Sequence, residues 1–257
     1  MIFYKYQGTG NDFVIIDNRN NNITLNSQQV AKLCDRKFGI GADGLMLLQQ
    51  KVGFDFEMIY YNADGKESSM CGNGGRCLTQ FAFDIGIKKD KYKFLAIDGE
   101  HESLFAENDW VHLKMIDVDE IKNHHGEYIL NTGSPHYVKQ VTNIKEINVY
   151  KLGPEIRYSK DFEEKGINVN FVEQLEEDKI YVRTYERGVE DETLSCGTGV
   201  TASALVFYHN DFGFNRVEVE TLGGKLAVEF DKNGEDKFKN IWLCGPATFV
   251  FKGEIDI

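Results

Sequence analysis

Met70-Cys71-Gly72-Asn73-Gly74 and Ser195-Cys196-Gly197-Thr198-Gly199 each contain the short motif Cys-Gly-x-Gly, and the two cysteines are 125 positions apart. An apolar stretch with helical spacing follows each copy, so each cysteine is predicted to lie at the start of a buried helix. Backbone N–H groups and the helix dipole favour a thiolate at this position. The repetition predicts two related halves, each with one reactive thiol.

Three helices are predicted. The segment 27–37 is amphipathic, with Asn26 or Ser27 as its N-cap. The segment 71–85 follows the first cysteine motif and has apolar residues at helical spacing. The segment 199–208 is apolar on nearly every side, which predicts that other elements surround it.

Most of the remaining sequence alternates apolar and polar residues, the pattern of short strands. Because strands precede and follow a central helix twice, we predict an α+β fold of two pseudo-symmetric domains, each with a mixed, barrel-like sheet wrapped around a central α-helix. The first domain is predicted to span residues 1–115, completed by a last strand at about 246–257, and the second to span 116–245. The clearest strand patterns are 54–61, 110–115, 180–185, 217–221, 226–230 and 248–251.

Composition limits the classes of function. The 257 residues carry a net charge of -12, which disfavours binding to nucleic acid and to anionic membrane surfaces. No secretory signal and no apolar run of about 20 residues is present, so a membrane protein is not expected. The cysteines are sparse and odd in number, as in reducing compartments, and we therefore predict a cytoplasmic protein.

Two such thiols indicate acid–base chemistry at one carbon atom. A carboxylate bound by the N–H groups of both helix N-termini would hold its neighbouring Cα between Cys71 and Cys196. One sulfur, as a thiolate, would remove the Cα proton, and the other, as a thiol, would deliver a proton to the opposite face. The N–H groups would also stabilise the developing negative charge. The motifs therefore predict inversion of a stereocentre without a cofactor or a metal.

Other roles for the cysteines have weaker support. A zinc site lacks the usual Cys-x-x-Cys spacing, and neither glycine motif continues as a nucleotide-binding loop. A redox pair is a further role for two thiols, and we interpret a disulfide between them as a side reaction. Cys34, Cys77 and Cys244 are interpreted as buried structural residues.

With their flanking residues, the two motifs closely resemble the active-site blocks of the diaminopimelate epimerase family. Asn73 favours this family over the proline racemases, which are similar in fold and mechanism and typically carry His at that position. The resemblance runs from the first ten residues to the last strand. The matching segments are Lys5-Tyr6-Gln7-Gly8-Thr9-Gly10-Asn11-Asp12-Phe13, Asn62-Ala63-Asp64-Gly65, Met70 to Cys77, Tyr185-Glu186-Arg187-Gly188 and Glu192 to Gly199.

The resemblance implies that the protein interconverts LL- and meso-diaminopimelate without pyridoxal phosphate, in lysine and peptidoglycan-precursor biosynthesis, usually as a homodimer. It implies that Cys71 and Cys196 are the acid–base pair and that His136 and Glu186 assist catalysis. Arg187 agrees with this reading, because its fork can bind a carboxylate in a bidentate manner. The substrate-binding residues that the resemblance implies are Asn11, Asn62, Gly72, Asn73, Asn168, Glu186, Arg187, Gly197 and Thr198.

Two positions depart from the family pattern. Ser134 stands where the family commonly has Asn, and Gly44 stands where some members have Gln. These changes concern recognition of the distal end of the substrate rather than proton transfer. Two other functions stay open: a proline or hydroxyproline racemase, against which Asn73 and Arg187 argue, and a non-catalytic binding protein, against which the two retained cysteines argue.

Overall fold

A computed structural model describes residues 1–105 and 110–256 of the chain. Within these ranges it contains four α-helices and seventeen β-strands, which confirms the prediction of an α+β fold. Contacts divide the chain into two compact units, Met1–Leu113 with Gly245–Ile257, and Lys114–Cys244. No helix in the described ranges is both long enough and apolar enough to cross a membrane.

The first unit has one ordered series of paired strands. The strands pair in the order β17–β1–β2–β3–β4–β5–β6–β7, and the pairs β2–β3 and β4–β5 are parallel. The elements are β1 (Ile2–Gly8), β2 (Asn11–Asp17), α1 (Ser27–Cys34), β3 (Gly44–Gln49), β4 (Phe56–Asn62), α2 (Gly72–Asp84), β5 (Lys91–Ala96), β6 (Gly99–Phe105), β7 (Val111–Lys114) and β17 (Thr248–Glu254).

The second unit has the order β8–β9–β10–β11–β12–β14–β15–β16, and β13 adds a short second partner to β12. Here the pairs β10–β11 and β12–β14 are parallel. The elements are β8 (Lys122–His124), β9 (Glu127–Asn131), β10 (Pro135–Gln140), α3 (Val149–Arg157), β11 (Asn168–Glu176), β12 (Lys179–Glu186), β13 (Asp191–Thr193), α4 (Gly197–Ala204), β14 (Gly213–Thr221), β15 (Gly224–Gly234) and β16 (Lys237–Gly245).

The two units share one connection scheme. In each unit a helix joins the strands of both parallel pairs, as parallel crossovers require: α1 and α2 in the first unit, α3 and α4 in the second. The cysteine motifs begin the second helix of each unit. Five strands of the same unit pack around each of these helices: β1, β2, β3, β6 and β17 around α2, and β10, β11, β12, β14 and β15 around α4.

Helix α1 is three residues shorter than predicted. Asn26 caps it, as expected, by accepting a hydrogen bond from the N–H group of Gln29. The helix ends at Cys34. The Asp35 side chain accepts hydrogen bonds from the backbone N–H groups of Lys37 at 2.7 Å and Phe38 at 2.8 Å, and these bonds turn the backbone out of the helix.

Helix α4 covers 197–204, so the predicted range 199–208 was wrong at both ends. At its end, the N–H groups of Val206 and Phe207 both donate to the carbonyl oxygen of Ser203, which closes a turn in place of a further helical turn. Apolar side chains continue through this turn and are buried in it, which explains why their spacing alone extended the predicted helix.

Helix α3 was not predicted. It contains Gly153 and Pro154, which favour turns over helices in sequence. Gly153 is needed because a Cβ atom there would lie 2.5 Å from Cβ of Tyr185. Asn148 caps the helix through a hydrogen bond from the N–H group of Lys151.

Candidate active site

In the first unit, Cys71 is the N-cap of α2. Its carbonyl oxygen accepts the first backbone hydrogen bond of the helix, from the N–H group of Gly75 at 2.7 Å. The N–H groups of Gly72 and Asn73 precede this bond and lie outside the helical ladder, where an anion would bind. The predicted relation between this thiol and a helix N-terminus is therefore present.

Asn11 contacts the thiol of Cys71. The thiol donates to Oδ1 of Asn11 at 3.6 Å, and Nδ2 of Asn73 donates to the same oxygen at 3.4 Å. At the other end of its amide, Asn11 donates from Nδ2 to Oδ2 of Asp43 at 2.7 Å. Since a carboxylate only accepts, Asp43 orients the amide so that its oxygen faces the thiol.

A charged cluster holds Asp43 in place. Arg36 donates to both carboxylates of the cluster, at 2.7 Å to Asp43 and at 2.7 and 3.0 Å to Asp12. Lys5 forms an ion pair with Asp12 at 2.7 Å. Burial raises the pKa of Asp12, but the hydrogen bonds from Arg36 and Lys5 outweigh this effect and hold the pKa below its usual range. Asp12 therefore stays ionised at neutral pH and holds Arg36 beside Asp43.

Arg76 lies fully buried beside the first turn of α2. It donates to Oδ1 of Asn73 at 3.0 Å, to Oγ1 of Thr9 at 3.3 Å and to the carbonyl oxygens of Gly72 and Pro246 at 3.3 and 3.4 Å. These bonds fix the Asn73 amide with its nitrogen directed to the thiol side. They also place a positive charge next to the helix N-terminus.

Asn62 is the last residue of β4 and is exposed. It pairs directly with Gly44 of β3, which also pairs with Phe13, two residues after Asn11. A Cβ atom at Gly44 would lie 2.5 Å from Cε2 of Tyr60. It would also lie 2.7 Å from the backbone carbonyl oxygen of Tyr61, so a glutamine at this position would require both the Tyr60 ring and the neighbouring backbone to shift.

In the second unit, Cys196 is the N-cap of α4, and its carbonyl oxygen accepts from the N–H group of Val200 at 2.8 Å. The N–H groups of Gly197 and Thr198 correspond to those of the first unit. Sγ of Cys196 lies 3.5 Å from Oγ1 of Thr198. Thr132 donates from its hydroxyl to the carbonyl oxygen of Thr198 at 2.7 Å, which brings the loop before β10 against this helix turn.

That loop also holds Ser134, whose hydroxyl oxygen joins two predicted binding residues. It accepts from Nδ2 of Asn168 at 2.8 Å and from Nη2 of Arg187 at 3.3 Å. Asn168 further donates to the carbonyl oxygen of Pro135 and accepts from the backbone N–H group of Arg187. Arg187 also donates to the carbonyl oxygen of Lys165 at 3.0 Å. The departure at Ser134 is therefore part of an ordered cluster.

His136 and Glu186 occupy different environments. His136, on β10, is fully buried, and its Nδ1 lies 3.0 Å from Nδ2 of Asn170. Burial, with a smaller contribution from the charge of Arg187, lowers the pKa of His136 to about 3. Nε2 of His136 is buried without a hydrogen-bond partner among the described residues. Glu186 is half-buried at the end of β12.

The remaining cysteines have buried thiols. Burial raises the pKa of Cys77 to about 12 and that of Cys34 to about 11, so both are protonated at neutral pH. Cys244 is also buried, and its Sγ contacts the carbonyl oxygen of Trp242 at 3.5 Å. These environments fit the structural roles expected for all three cysteines.

A second kind of side-chain group, with metal-ligand chemistry, lies at the surface of the second unit. His124, His125 and Asp161 each have one ligand atom within 4.8 Å of the others. None of the residues predicted for the active site belongs to this group.

Each unit thus brings together its own share of the predicted residues. Three supporting residues were not predicted from the sequence: Asp43, Arg76 and Asn170. Arg76 lies inside the cysteine motif, and Asn170 follows Asn168 by two positions on one strand, so both had a signal in the sequence. Asp43 had none, because its contact with Asn11 depends on the parallel pairing of β2 with β3.

Comparison with known proteins gives consistent results across the chain. A family model described as "Diaminopimelate epimerase" matches residues 3–116 and 128–250. A curated protein named "Diaminopimelate epimerase" from Flavobacterium psychrophilum is 49% identical over 257 residues, covering 99% of this chain and 100% of that protein. A protein of the same name from Aquifex aeolicus is 39% identical and covers 99% of this chain and 98% of its own.

Solved structures similar to this chain show the fold. A phenazine biosynthesis protein of the PhzF family from Bacillus anthracis superposes with a TM-score of 0.74 at 16% identity, covering 100% of this chain and 99% of that one. A probable proline racemase from Agrobacterium radiobacter K84 superposes with a TM-score of 0.65 at 13% identity, covering 100% and 93%. These likenesses confirm the predicted two-domain fold class.

Proposed function

The chain belongs to the diaminopimelate epimerase family, and we propose that it interconverts LL- and meso-diaminopimelate with Cys71 and Cys196 as its two proton-transferring groups. The observation that carries this proposal is that each unit has a cysteine as the N-cap of its central helix. The pair supplies a base and an acid, and the helix N-termini supply a carboxylate site. The reaction therefore has its acid and base in the chain itself, and we propose that it uses no cofactor.

The proposed reaction moves two protons and no other atoms. One sulfur, as a thiolate, takes the proton from Cα, and the released electron pair delocalises into the adjacent carboxylate. The other sulfur, as a thiol, then gives its proton to the opposite face of Cα, which inverts the configuration. The two sulfurs end with their protonation states exchanged, so each serves as base in one direction of the reaction and as acid in the other.

We assign the carboxylate of the reacting end to the first-turn N–H groups, because these donors strengthen as negative charge develops there. The donors are Gly72, Asn73, Gly197 and Thr198. Asn11 contacts the thiol of Cys71, so we place it beside the reacting carbon.

The distal end carries a second carboxylate and a second ammonium group. We assign its carboxylate to Arg187, whose fork can bind it in a bidentate manner. Asn168 and Ser134 already hold this arginine in place. Asn62 and Glu186 complete the set, with Glu186 as the counter-charge for an ammonium group.

We further propose that the protein is a cytoplasmic homodimer and that its two compact units are the two epimerase domains. The free cysteines suit a reducing compartment. Support for a dimer comes from β17, at the end of the strand order of the first unit, where Phe249, Val250 and Phe251 are 48%, 51% and 43% exposed. Sedimentation equilibrium on the wild type would show a dimer, and a monomer at micromolar concentration would contradict this assignment.

The activity is tested by incubating reduced, purified protein with LL-diaminopimelate and following formation of the meso isomer. Cys71→Ala and Cys196→Ala should each abolish conversion with the circular dichroism spectrum unchanged. Cys77→Ala is the matched control, since it removes a buried thiol from the same helix and should retain activity. Conversion of proline but not of diaminopimelate would favour the racemase function, and binding without conversion of either would favour a non-catalytic protein.

A further inference from the structure

The imidazole of His136 is held from one side by the amide of Asn170. Nδ2 of Asn170 lies 3.0 Å from Nδ1 of His136 and 3.0 Å from the carbonyl oxygen of Tyr137. Oδ1 of the same amide accepts from the hydroxyl of Thr184 at 2.9 Å. All three side chains are buried, with exposed fractions of 2% or less.

These contacts determine which nitrogen of the ring carries the proton. The carbonyl oxygen of Tyr137 can only accept, so the amide atom that faces it is the NH2 group of Asn170. The same NH2 group faces Nδ1 of His136, and Nδ1 is therefore an acceptor. A neutral imidazole has one N–H group, which must then be on Nε2.

The surroundings of the ring disfavour a positive charge. Burial lowers the pKa of His136, and the charge of Arg187, the charged group that faces it from the end of β12, acts in the same direction. The first turn of α4 packs against the ring: a Cβ atom at Gly199 would lie 3.3 Å from Cε1 of His136. The positive end of a helix dipole also disfavours a protonated imidazole.

We propose that Asn170 is a positioning residue that holds His136 as the neutral Nε2–H tautomer, so that His136 serves the reaction as a hydrogen-bond donor and not as a proton-transferring base. Nε2 has no partner among the described residues, and its N–H group is therefore available to an anion at the N-terminus of α4. The substrate carboxylate and a cysteine thiolate both have this chemistry. The choice of acceptor rests on the proposed function, but the tautomer does not.

The tautomer can be read directly by long-range 1H–15N correlation spectra of full-length protein labelled with 15N-histidine. His136 should show the pattern of a neutral ring protonated on Nε2, unchanged between pH 5 and pH 9, and His136→Gln identifies its signals. Protonation on Nδ1, or titration within this range, would overturn the proposal. An inactive protein with the Nε2–H pattern would contradict the proposed function while leaving the tautomer assignment intact.

Asn170→Asp tests the role of the amide, because a carboxylate accepts where the amide donated. This variant should move the His136 proton to Nδ1 or add a second proton, and should lower kcat by roughly tenfold or more with a smaller change in KM. Asn215→Asp is the matched control, since Asn215 is also a buried asparagine whose amide is hydrogen-bonded, but to backbone groups. Should Asn170→Asp fail to fold, Thr184→Val, which removes the bond to Oδ1, should show a weakened form of the same change. An unchanged tautomer and kcat in folded Asn170→Asp would refute the role.

Discussion

Gly199 and Gly74 occupy equivalent positions in the two cysteine motifs, but alanine should have very different effects at these sites. A Cβ atom at Gly199 would lie 2.3 Å from Oδ1 of Asn170, whereas one at Gly74 would lie 2.9 Å from Cε of Met46. Asn170 is fixed by several hydrogen bonds, and the Met46 methyl group is the end of a flexible side chain.

The expected changes in the free energy of unfolding depend on the atoms that each new Cβ would meet. Overpacking costs about 1–3 kcal/mol, and each buried polar group left unsatisfied when Asn170 moves costs roughly 1–3 kcal/mol more. Replacing a helical glycine with alanine returns about 1 kcal/mol. We therefore expect Gly199→Ala to lower the free energy of unfolding by about 1–5 kcal/mol, and Gly74→Ala to change it by less than about 1 kcal/mol, since Met46 can move.

Urea unfolding followed by tryptophan fluorescence measures both changes. Trp110 lies in the first unit and Trp242 in the second, so each tryptophan reports on the unit that carries one of the two glycines. Gly199→Ala is studied in a Trp110→Phe background and Gly74→Ala in a Trp242→Phe background, each against its own parent. Equal stability changes for the two variants, or a stable Gly199→Ala, would refute the argument that a rigid amide under α4 requires glycine at this position.

Three further predictions concern the site. Arg187→Ala should raise KM for diaminopimelate by about tenfold to a hundredfold, Arg187→Lys should restore part of this loss, and an unchanged KM would remove Arg187 from the distal site. Burial lowers the pKa of His136 in the folded protein to about 3, from an ordinary value of 6.5. The unfolded chain therefore binds a proton at this histidine first, and the free energy of unfolding falls as the pH drops from about 6.5 towards 3. His136→Gln should flatten this pH dependence in urea titrations at acid pH, and an unchanged slope would contradict the prediction. Mild oxidant should inactivate the protein through a disulfide between Cys71 and Cys196 that a thiol reductant reverses, and two free thiols in the inactivated protein would exclude this explanation.

Much of this fold can be predicted from the chain, because burial patterns repeat where the motifs repeat. The apolar segments after Cys71 and Cys196 predict the two central helices: the first has apolar residues at helical spacing, and the second has no polar face and must be covered on all sides. Helix α3 was missed although it corresponds to α1 in the connection scheme. Gly153 favours a turn in the local sequence, so the helix is not apparent there. The glycine is required by the nearby Tyr185 side chain, and this contact cannot be predicted from the local sequence.

The candidate site also has parts that the sequence predicts and parts that it does not. Cysteines next to glycines at helix starts are visible in sequence because the chemistry and the helix signal are adjacent. The support of Asn11 by Asp43, and of His136 by Asn170, joins residues that are 32 and 34 positions apart and is created by strand pairing. Side-chain tautomers depend on such long-range contacts, so they follow from the structure and not from a motif.

The two-base claim is tested most directly by isotope exchange in heavy water. The wild-type protein is mixed with LL-diaminopimelate, and deuterium at Cα is measured in product and in recovered substrate during the first few per cent of conversion. Because Cys71 and Cys196 are proposed to act on opposite faces, the meso product should carry solvent deuterium while the recovered substrate keeps its proton. Deuterium appearing equally in both isomers from the start would show that a single base serves both faces and would contradict the account.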